Sequence, residues 1–257
     1  MIKKLFTVLL IAALTISLIP NLTVNAQTKK EQSEISSVEN YILYLEEKSK
    51  SDANAEKILK QFLNLSPEEQ NTFIIALQPE NYLKLNKAAQ EKPNQEVKVQ
   101  LNNQKEVSVK VKYVSSDEET ITPIDNEEAT IAAKAAATYK VTTSWAGVDF
   151  YLLGVRLGQY KVRLIYQSDL TNALQVYDVE KEYYNYNPGV WTTDVGYTNQ
   201  YVSGGYAYGG YQWRLNSTAT LGGISTNLDF YIKAKHPEQQ FKVNSGRDAW
   251  SQPWTDF

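Results

Sequence analysis

A glycine-rich aromatic run around Gly209-Gly210 places the strongest constraint on the fold of this chain. Successive side chains of a β-strand point to opposite faces, so Tyr206 and Tyr208 would share one face of an extended segment. Tyr211 and Trp213 would also share a face, but an uninterrupted strand would put them opposite the first pair. We predict that the glycine pair makes either a hairpin turn or a bulge that restores the face, because glycine tolerates positive φ. Both alternatives require an antiparallel sheet.

The chain after Thr138 consists of short apolar and aromatic runs separated by glycine-marked turns. All 12 glycines, all 5 tryptophans and 14 of the 18 tyrosines lie after Ala137. Strands at about ten-residue spacing are typical of an antiparallel β-sandwich or barrel. We therefore predict the α+β class, with a small helical segment before a C-terminal β-sandwich or barrel-like domain. The predicted strands span residues 139–144, 148–157, 160–167, 172–182, 190–197, 201–215 and 225–233.

The segment 27–93 has the apolar periodicity and the start signals of four short helices. We expect Ser36, Asp52 and Ser66 to cap the first three helices and Gln78-Pro79-Glu80 to start the fourth. Each helix has one narrow apolar stripe, so the helices form a small bundle or pack against another part of the chain. A modest helical domain and a pro-region that shields the later domain are both consistent with this pattern.

Three further segments complete the predicted domain organisation. Strict alternation of apolar residues across 94–114 predicts a β-hairpin with one polar face. Residues 115–137 are acidic and then alanine-rich, which indicates a solvated linker. Residues 138–257 form the predicted Tyr/Gly-rich β-sandwich domain, whose aromatic tail packs along an edge or across one mouth of the sandwich.

Residues 1–26 have the pattern of a secretory signal peptide. Lys3 and Lys4 precede an apolar run, and a small-residue cleavage site ends at Ala26. The run is shorter than the roughly 20 residues of a membrane span. We predict a secreted, extracellular protein without a transmembrane span in the mature chain. The chain has no cysteine, so it forms no disulfide, and export without cysteine in an Asn/Lys/Ile-rich chain favours a Gram-positive bacterial source.

The charge balance bears on the possible partners. Removal of the predicted signal takes 2 lysines from the 26 basic residues and none of the 29 acidic residues, so the mature chain carries 24 minus 29, or −5. Nucleic-acid binding depends on neutralising phosphates with a basic surface, so we predict no nucleic-acid partner. The same balance argues against simple electrostatic adsorption to an anionic membrane.

Catalytic chemistry has few candidate groups in this sequence. His236 is the single histidine and cysteine is absent, so the parts of a Ser-His-Asp, Cys-His or zinc site are missing. We predict no metal, no cofactor and no catalytic residue. Carboxylates still allow one kind of catalysis. Glycoside hydrolysis needs only two acidic side chains on opposite sides of the scissile bond. Alternating acids in a strand usually face solvent. The acids in predicted strands are Asp149, Asp178, Glu180, Glu182, Asp194 and Asp229.

The surplus of aromatic residues is the most informative functional feature. The inner faces of one sandwich do not need this many rings, and exposed rings with polar tips stack on sugars, lipid headgroups or protein partners. Tyrosine is also simply a good strand former. One predicted group flanks a turn and the other forms a platform on the glycine-rich run. The predicted binding residues are Tyr183, Tyr184 and Tyr186, followed by Tyr206, Tyr208, Tyr211 and Trp213.

Three functions are compatible with these features. The first is a secreted, non-catalytic interaction protein that binds a bacterial cell wall, glycan or envelope surface through exposed Tyr and Trp. The second is a secreted antibacterial, bacteriocin-like or membrane-damaging protein, in which the helices act as a shield and the glycine-rich hairpin rearranges. The third is a carboxylate-dependent glycan hydrolase that uses Asp178 and Glu180.

Overall fold

The computed structural model describes most of the chain between Ser37 and Asp256. The described residues are 37–115, 122–123, 140–169, 171–198, 200–217, 225–245, 250–251 and 254–256. The predicted signal peptide and most of the predicted linker therefore lie outside the described residues.

Four helices open the described chain, as the sequence predicts. They are α1 (Val38–Ser49), α2 (Ala53–Leu63), α3 (Pro67–Leu77) and α4 (Pro79–Glu91). Ser37 caps α1, one residue later than predicted, and its hydroxyl accepts from the backbone N–H of Asn40. The predicted caps at Asp52 and Ser66 are confirmed, and Ser66 forms a reciprocal capping box with Glu69.

Among the described residues, sheet A contains six strands in the order β1-β2-β4-β5-β6, with β3 beside β4. The predicted hairpin forms its first two strands and joins the rest of the sheet through antiparallel pairing of β2 with β4. The strands are β1 (Glu96–Gln100), β2 (Glu106–Ser115), β3 (Thr122–Pro123), β4 (Lys140–Leu152), β5 (Val155–Ser168) and β6 (Ala173–Asn185).

Sheet B contains seven strands in the order β12-β11-β10-β9-β7, with β13 beside β11 and β8 beside β9. Its strands are β7 (Val190–Tyr197), β8 (Tyr201–Ser203), β9 (Tyr206–Ser217), β10 (Ser225–Lys235), β11 (Glu238–Ser245), β12 (Trp250–Ser251) and β13 (Thr255–Asp256). The two antiparallel sheets pack face to face, so the predicted α+β class with a β-sandwich is confirmed.

The predicted break between residues 144 and 148 is wrong, because β4 runs through it without interruption. Gly147 lies inside this strand, where a Cβ atom would come within 2.8 Å of the Tyr160 carbonyl oxygen. Its role is close approach to the neighbouring strand and not chain reversal. The chain reverses instead at Leu153-Gly154, whose φ angles of 48° and 78° are both positive, as a tight hairpin turn requires.

The predicted turn or bulge at Gly209-Gly210 is also wrong. β9 pairs with β10 in unbroken register from Ala207 to Asn216, so the strand runs straight through both glycines. A Cβ atom on Gly209 would lie 2.5 Å from Val179 Cγ2 and 2.9 Å from Leu164 Cδ1 of sheet A. This glycine therefore allows the two sheets to approach each other.

One apolar core extends through both sheets and the helices. Between the sheets, the Tyr113 ring of β2 meets the Phe241 ring of β11 at a centroid distance of 4.7 Å. On the same inner face of sheet A, the Tyr82 ring of α4 packs edge-on against Phe150 of β4 at 5.4 Å. Sheet B and the helices thus each cover part of the inner face of sheet A.

The helices pack on each other as well as on sheet A. Tyr41 of α1 lies 4.9 Å from Phe62 of α2 and 5.5 Å from Phe73 of α3, measured between ring centroids. The Tyr41 hydroxyl also donates a hydrogen bond of 3.1 Å to the carbonyl oxygen of Tyr186, just after β6. The two predicted arrangements, a small bundle and packing on another part of the chain, therefore occur together.

We expect Gly209→Ala to lower the free energy of unfolding by about 1–3 kcal/mol, because the added methyl group overpacks the space against Val179 and Leu164. Arg214→Ala, on the exposed face of the same strand, is the control and should change stability by less than about 0.5 kcal/mol. Urea unfolding of both variants measures the difference. Equal stability of Gly209→Ala and the wild type would contradict a close approach of the sheets at this position.

Candidate functional site

The uninterrupted course of β9 separates the aromatic residues that the sequence groups in one platform. Trp213 is 0% exposed and Tyr211 is 7% exposed, because both side chains point toward sheet A. The Trp213 ring packs against Tyr160 at 5.3 Å and against Tyr211 at 5.0 Å. Our expectation that these two rings reach the surface is therefore corrected: they belong to the core of the sandwich.

Two of the three tyrosines predicted to flank a turn are buried as well, and the third is partly exposed. Tyr186 is 3% exposed, and its hydroxyl donates to the carboxylate of Asp52, which caps α2. Tyr184 is 8% exposed, with the Arg156 guanidinium 5.4 Å from its ring centroid. Tyr183 is 36% exposed at the sheet edge and stacks on Tyr160 at 6.1 Å. These rings help to join β6 to its surroundings and form no continuous exposed surface.

Tyr206 and Tyr208 lie on the outer face of sheet B, together with two rings that the sequence did not indicate. Tyr201 of β8 stacks on Tyr208 of β9 at 4.7 Å, with only 5° between the ring planes. Tyr206 lies 6.4 Å and Trp254 lies 6.1 Å from the Tyr208 ring. We call these four side chains, Tyr201, Tyr206, Tyr208 and Trp254, the aromatic platform.

The hairpin between β8 and β9 positions the centre of the platform. Gly204 and Gly205 have φ angles of 57° and 79°, and their two-residue turn matches the twist of the flanking strands. This turn sets the register in which Tyr201 is directly opposite Tyr208. Tyr201 is 49% exposed and Trp254 is 36% exposed, so the platform has an accessible aromatic surface.

Two lysines of β10 border the platform. The Lys233 ammonium lies 5.1 Å from the Tyr206 ring centroid and 4.9 Å from the Trp254 ring centroid. The Lys235 ammonium lies 4.6 Å from the Tyr206 centroid and forms an ion pair of 3.4 Å with Glu238. Each distance is within the range of a cation–π contact, so the lysines hold the rings in place on the outer face of sheet B.

Tyr206 connects the charged groups at this edge of the platform. Its hydroxyl donates a hydrogen bond to the Glu238 carboxylate, and this bond lowers the pKa of Glu238 below its usual value. The same hydrogen bond raises the pKa of Tyr206. The pKa of Lys235 is raised as well, first by its hydrogen bond with Tyr206. Glu238 is therefore anionic and Lys235 cationic at neutral pH.

Five of the six acids that the sequence offers for catalysis are held by neighbouring side chains, whereas the exposed Asp178 carboxylate accepts a hydrogen bond of 2.8 Å from the backbone N–H of Val179. Glu180 and Glu182 share the outer face of β6, and they pair with Arg163 at 2.8 Å and with Lys161 at 3.5 Å. These ion pairs and Trp145 line a shallow depression of about 410 Å³ on sheet A. The other engaged carboxylates are Asp149, Asp194 and Asp229, which contact Arg156, Lys181 and Gln212 respectively.

The described residues contain no group of three or more His, Asp or Glu side chains arranged to hold a metal ion. In the part of the chain that the structure describes, no helix has both the length and the apolar character needed to cross a bilayer. No protein-family model, no curated protein and no solved structure matches this chain. The function must therefore be inferred from the geometry and chemistry of the surface itself.

We expect Trp213→Ala to lower the free energy of unfolding by about 3–5 kcal/mol, because truncation of a fully buried ring leaves a large cavity. Tyr197→Ala is the control: this side chain is 67% exposed, so its removal should change stability by less than about 0.5 kcal/mol. Thermal or urea unfolding measures both. A Trp213→Ala protein as stable as the control would contradict the inward orientation of this ring.

We expect Tyr206→Phe to raise the pKa of Glu238 toward its ordinary value of 4.5, because the variant lacks the hydroxyl that donates to the carboxylate. A lowered folded pKa stabilises the protein above the unfolded pKa, and this contribution disappears as the pH falls through the folded pKa. The variant should therefore lose stability above about pH 4.5 and match the wild type in stronger acid.

An NMR titration of the side-chain carboxyl carbons measures the pKa of Glu238 directly. Tyr183→Phe, which removes a hydroxyl on the other sheet, is the control and should leave the titration of Glu238 unchanged. A titration curve that is identical in the wild type and Tyr206→Phe would exclude the Tyr206–Glu238 hydrogen bond as the cause of the shift.

Proposed function

We propose that this protein is a secreted, non-catalytic interaction protein whose β-sandwich binds a glycan surface of the bacterial cell envelope. The observation that carries this proposal is the aromatic platform on the outer face of sheet B, in which Tyr201 and Tyr208 are stacked with nearly parallel ring planes. A sugar ring presents C–H groups on its faces and hydroxyl groups at its rim. Flat aromatic side chains with polar tips match both kinds of group, so the platform suits a saccharide.

The polar groups around the rings support the same class of ligand. The Tyr206 hydroxyl, the Lys235 ammonium and the Glu238 carboxylate offer donors and acceptors beside the platform. Polar groups at the edge of an apolar surface fix the orientation of a ligand and provide specificity. A surface of stacked rings bordered by donors and acceptors is therefore suited to a ligand with a regular array of hydroxyl groups.

The two other functions predicted from the sequence have less support from the arrangement of the side chains. A glycan hydrolase needs an available pair of carboxylates, whereas Glu180 of the predicted pair Asp178 and Glu180 is engaged by Arg163. A membrane-damaging protein would use the glycine-rich hairpin as a rearranging element, but β8 and β9 are already paired strands of a seven-stranded sheet. Binding requires neither a free carboxylate nor a rearrangement.

We expect Tyr201→Ala and Tyr208→Ala each to weaken binding to purified bacterial cell walls by about tenfold or more, because each removes one ring of the stacked pair. A tenfold loss corresponds to about 1.4 kcal/mol of binding free energy. Co-sedimentation of the purified protein with insoluble walls, over a range of wall concentrations, measures the apparent affinity.

Tyr177→Ala is the matched control, since this tyrosine is 44% exposed on sheet A and lies outside the platform. Its binding to walls should equal that of the wild type. Circular dichroism confirms that each variant is folded. If the wild type does not sediment with walls, or if Tyr201→Ala and Tyr208→Ala bind as well as Tyr177→Ala, the proposed function is wrong.

A further inference from the structure

Lys233 occupies a special position at the platform. It belongs to β10, where it pairs across the sheet with Tyr208 of β9. Its ammonium lies between the Tyr206 and Trp254 rings, at 5.1 and 4.9 Å from their centroids. A ligand that stacks on these rings would therefore come within reach of this ammonium group.

Lys235 forms an ion pair with a carboxylate, whereas Lys233 forms none with the residues that the structure describes. Glu238 pairs with Lys235 at 3.4 Å and accepts the hydrogen bond of Tyr206. Among the described residues, no carboxylate lies within ion-pairing distance of the Lys233 ammonium. Within the described part of the chain, the platform thus presents one cation that forms no direct ion pair, although its charge helps to lower the pKa of Glu238 after the larger effects of Tyr206 and Lys235. A cationic ligand would be repelled by this charge, whereas an anionic group would form a charge-assisted hydrogen bond with it.

The outer face of sheet A around Trp145 also combines an aromatic ring with cations, but these cations form ion pairs. There, Lys161 lies 4.9 Å from the Trp145 ring centroid, which is also an aromatic–cation contact. However, Lys161 pairs with Glu182 and the adjacent Arg163 pairs with Glu180. Aromatic rings and cations therefore occur on both outer faces, but the two cations beside Trp145 already have their carboxylate partners.

The net negative charge of the chain does not prevent this local preference. The full chain has a formal net charge of −3. At physiological ionic strength the screening length is about 8 Å, so exposed acids farther away have little effect on a group bound at the platform. A lysine in direct contact with the ligand then outweighs the distant acids, and the acid beside the platform, Glu238, is offset by its ion pair with Lys235.

We infer that the glycan bound at the aromatic platform is anionic, carrying phosphate or carboxylate groups, and that Lys233 contacts these groups. This inference rests on the proposed function, and it adds the chemical class of the ligand. The rings supply contact with the faces of the sugar, and the ammonium supplies selection for the charged substituent. Bacterial walls provide two sources of such charge, phosphodiester polymers and carboxyl groups, and the experiment separates them.

The test compares three preparations of the same cell walls in the co-sedimentation assay. One is untreated, one has lost its phosphodiester polymers through hydrofluoric acid, and one has its carboxyl groups converted to amides. We expect the wild type to lose about tenfold or more in affinity for one of the two treated preparations, which identifies the anion. Lys233→Gln should show the same loss on untreated walls and should be insensitive to that treatment.

Lys112→Gln is the matched control, because Lys112 is an exposed lysine on sheet A and the substitution makes the same change in net charge. It should bind untreated walls like the wild type. If Lys233→Gln and Lys112→Gln bind equally well, or if neither treatment of the walls affects the wild type, the anionic ligand is excluded. Tyr208→Ala would still lose affinity in that case, and the proposed glycan binding would stand. If the wild type binds no walls at all, both proposals fall together.

Discussion

The inner face of sheet A carries more apolar surface than sheet B covers, and the rest of the structure follows from this excess. Phe241 of sheet B covers Tyr113, whereas Phe150 is covered by Tyr82 of α4. Each large apolar side chain that lost its cover would give up about 1.5–3 kcal/mol of burial free energy. The four helices therefore complete the core of the sandwich, and their removal would expose the inner face of sheet A to water.

The straight course of β9 assigns different roles to aromatic residues that are adjacent in sequence. Because Gly209 has no side chain, sheet A can approach β9 at this point, with Val179 in the position that a Cβ atom would need. The two-residue alternation then continues without a break, so Trp213 points inward and Tyr208 outward. One strand thus supplies both a core anchor and half of the stacked pair on the outer surface.

The sequence predicts the fold well where local rules decide it, and the site less well. Capping by Asp52 and Ser66 and the hairpin within 94–114 depend on nearby residues, and all three are confirmed. The stacking of Tyr201 on Tyr208 is predictable from the sequence, because a two-residue turn at Gly204-Gly205 places these residues opposite each other. The face alternation of the sequence instead favours a turn or a bulge at Gly209-Gly210. Lys233 lies on β10, which follows β9, and Trp254 lies between β12 and β13; no local pattern reveals the register and packing that bring both to the platform.

Contacts within the protein already fix the side chains of the platform. This lowers the entropy cost of binding a ligand to a small surface. Tyr206 is fixed by its hydrogen bond to Glu238 and by the Lys235 ammonium over its ring. Tyr201 and Tyr208 restrain each other by stacking. Ordering a free side chain on binding costs about 0.5–1.5 kcal/mol, so rings that are already ordered avoid much of this cost. Preorganised rings therefore favour the proposed binding of a saccharide, although their contact area is far smaller than that of a protein–protein interface.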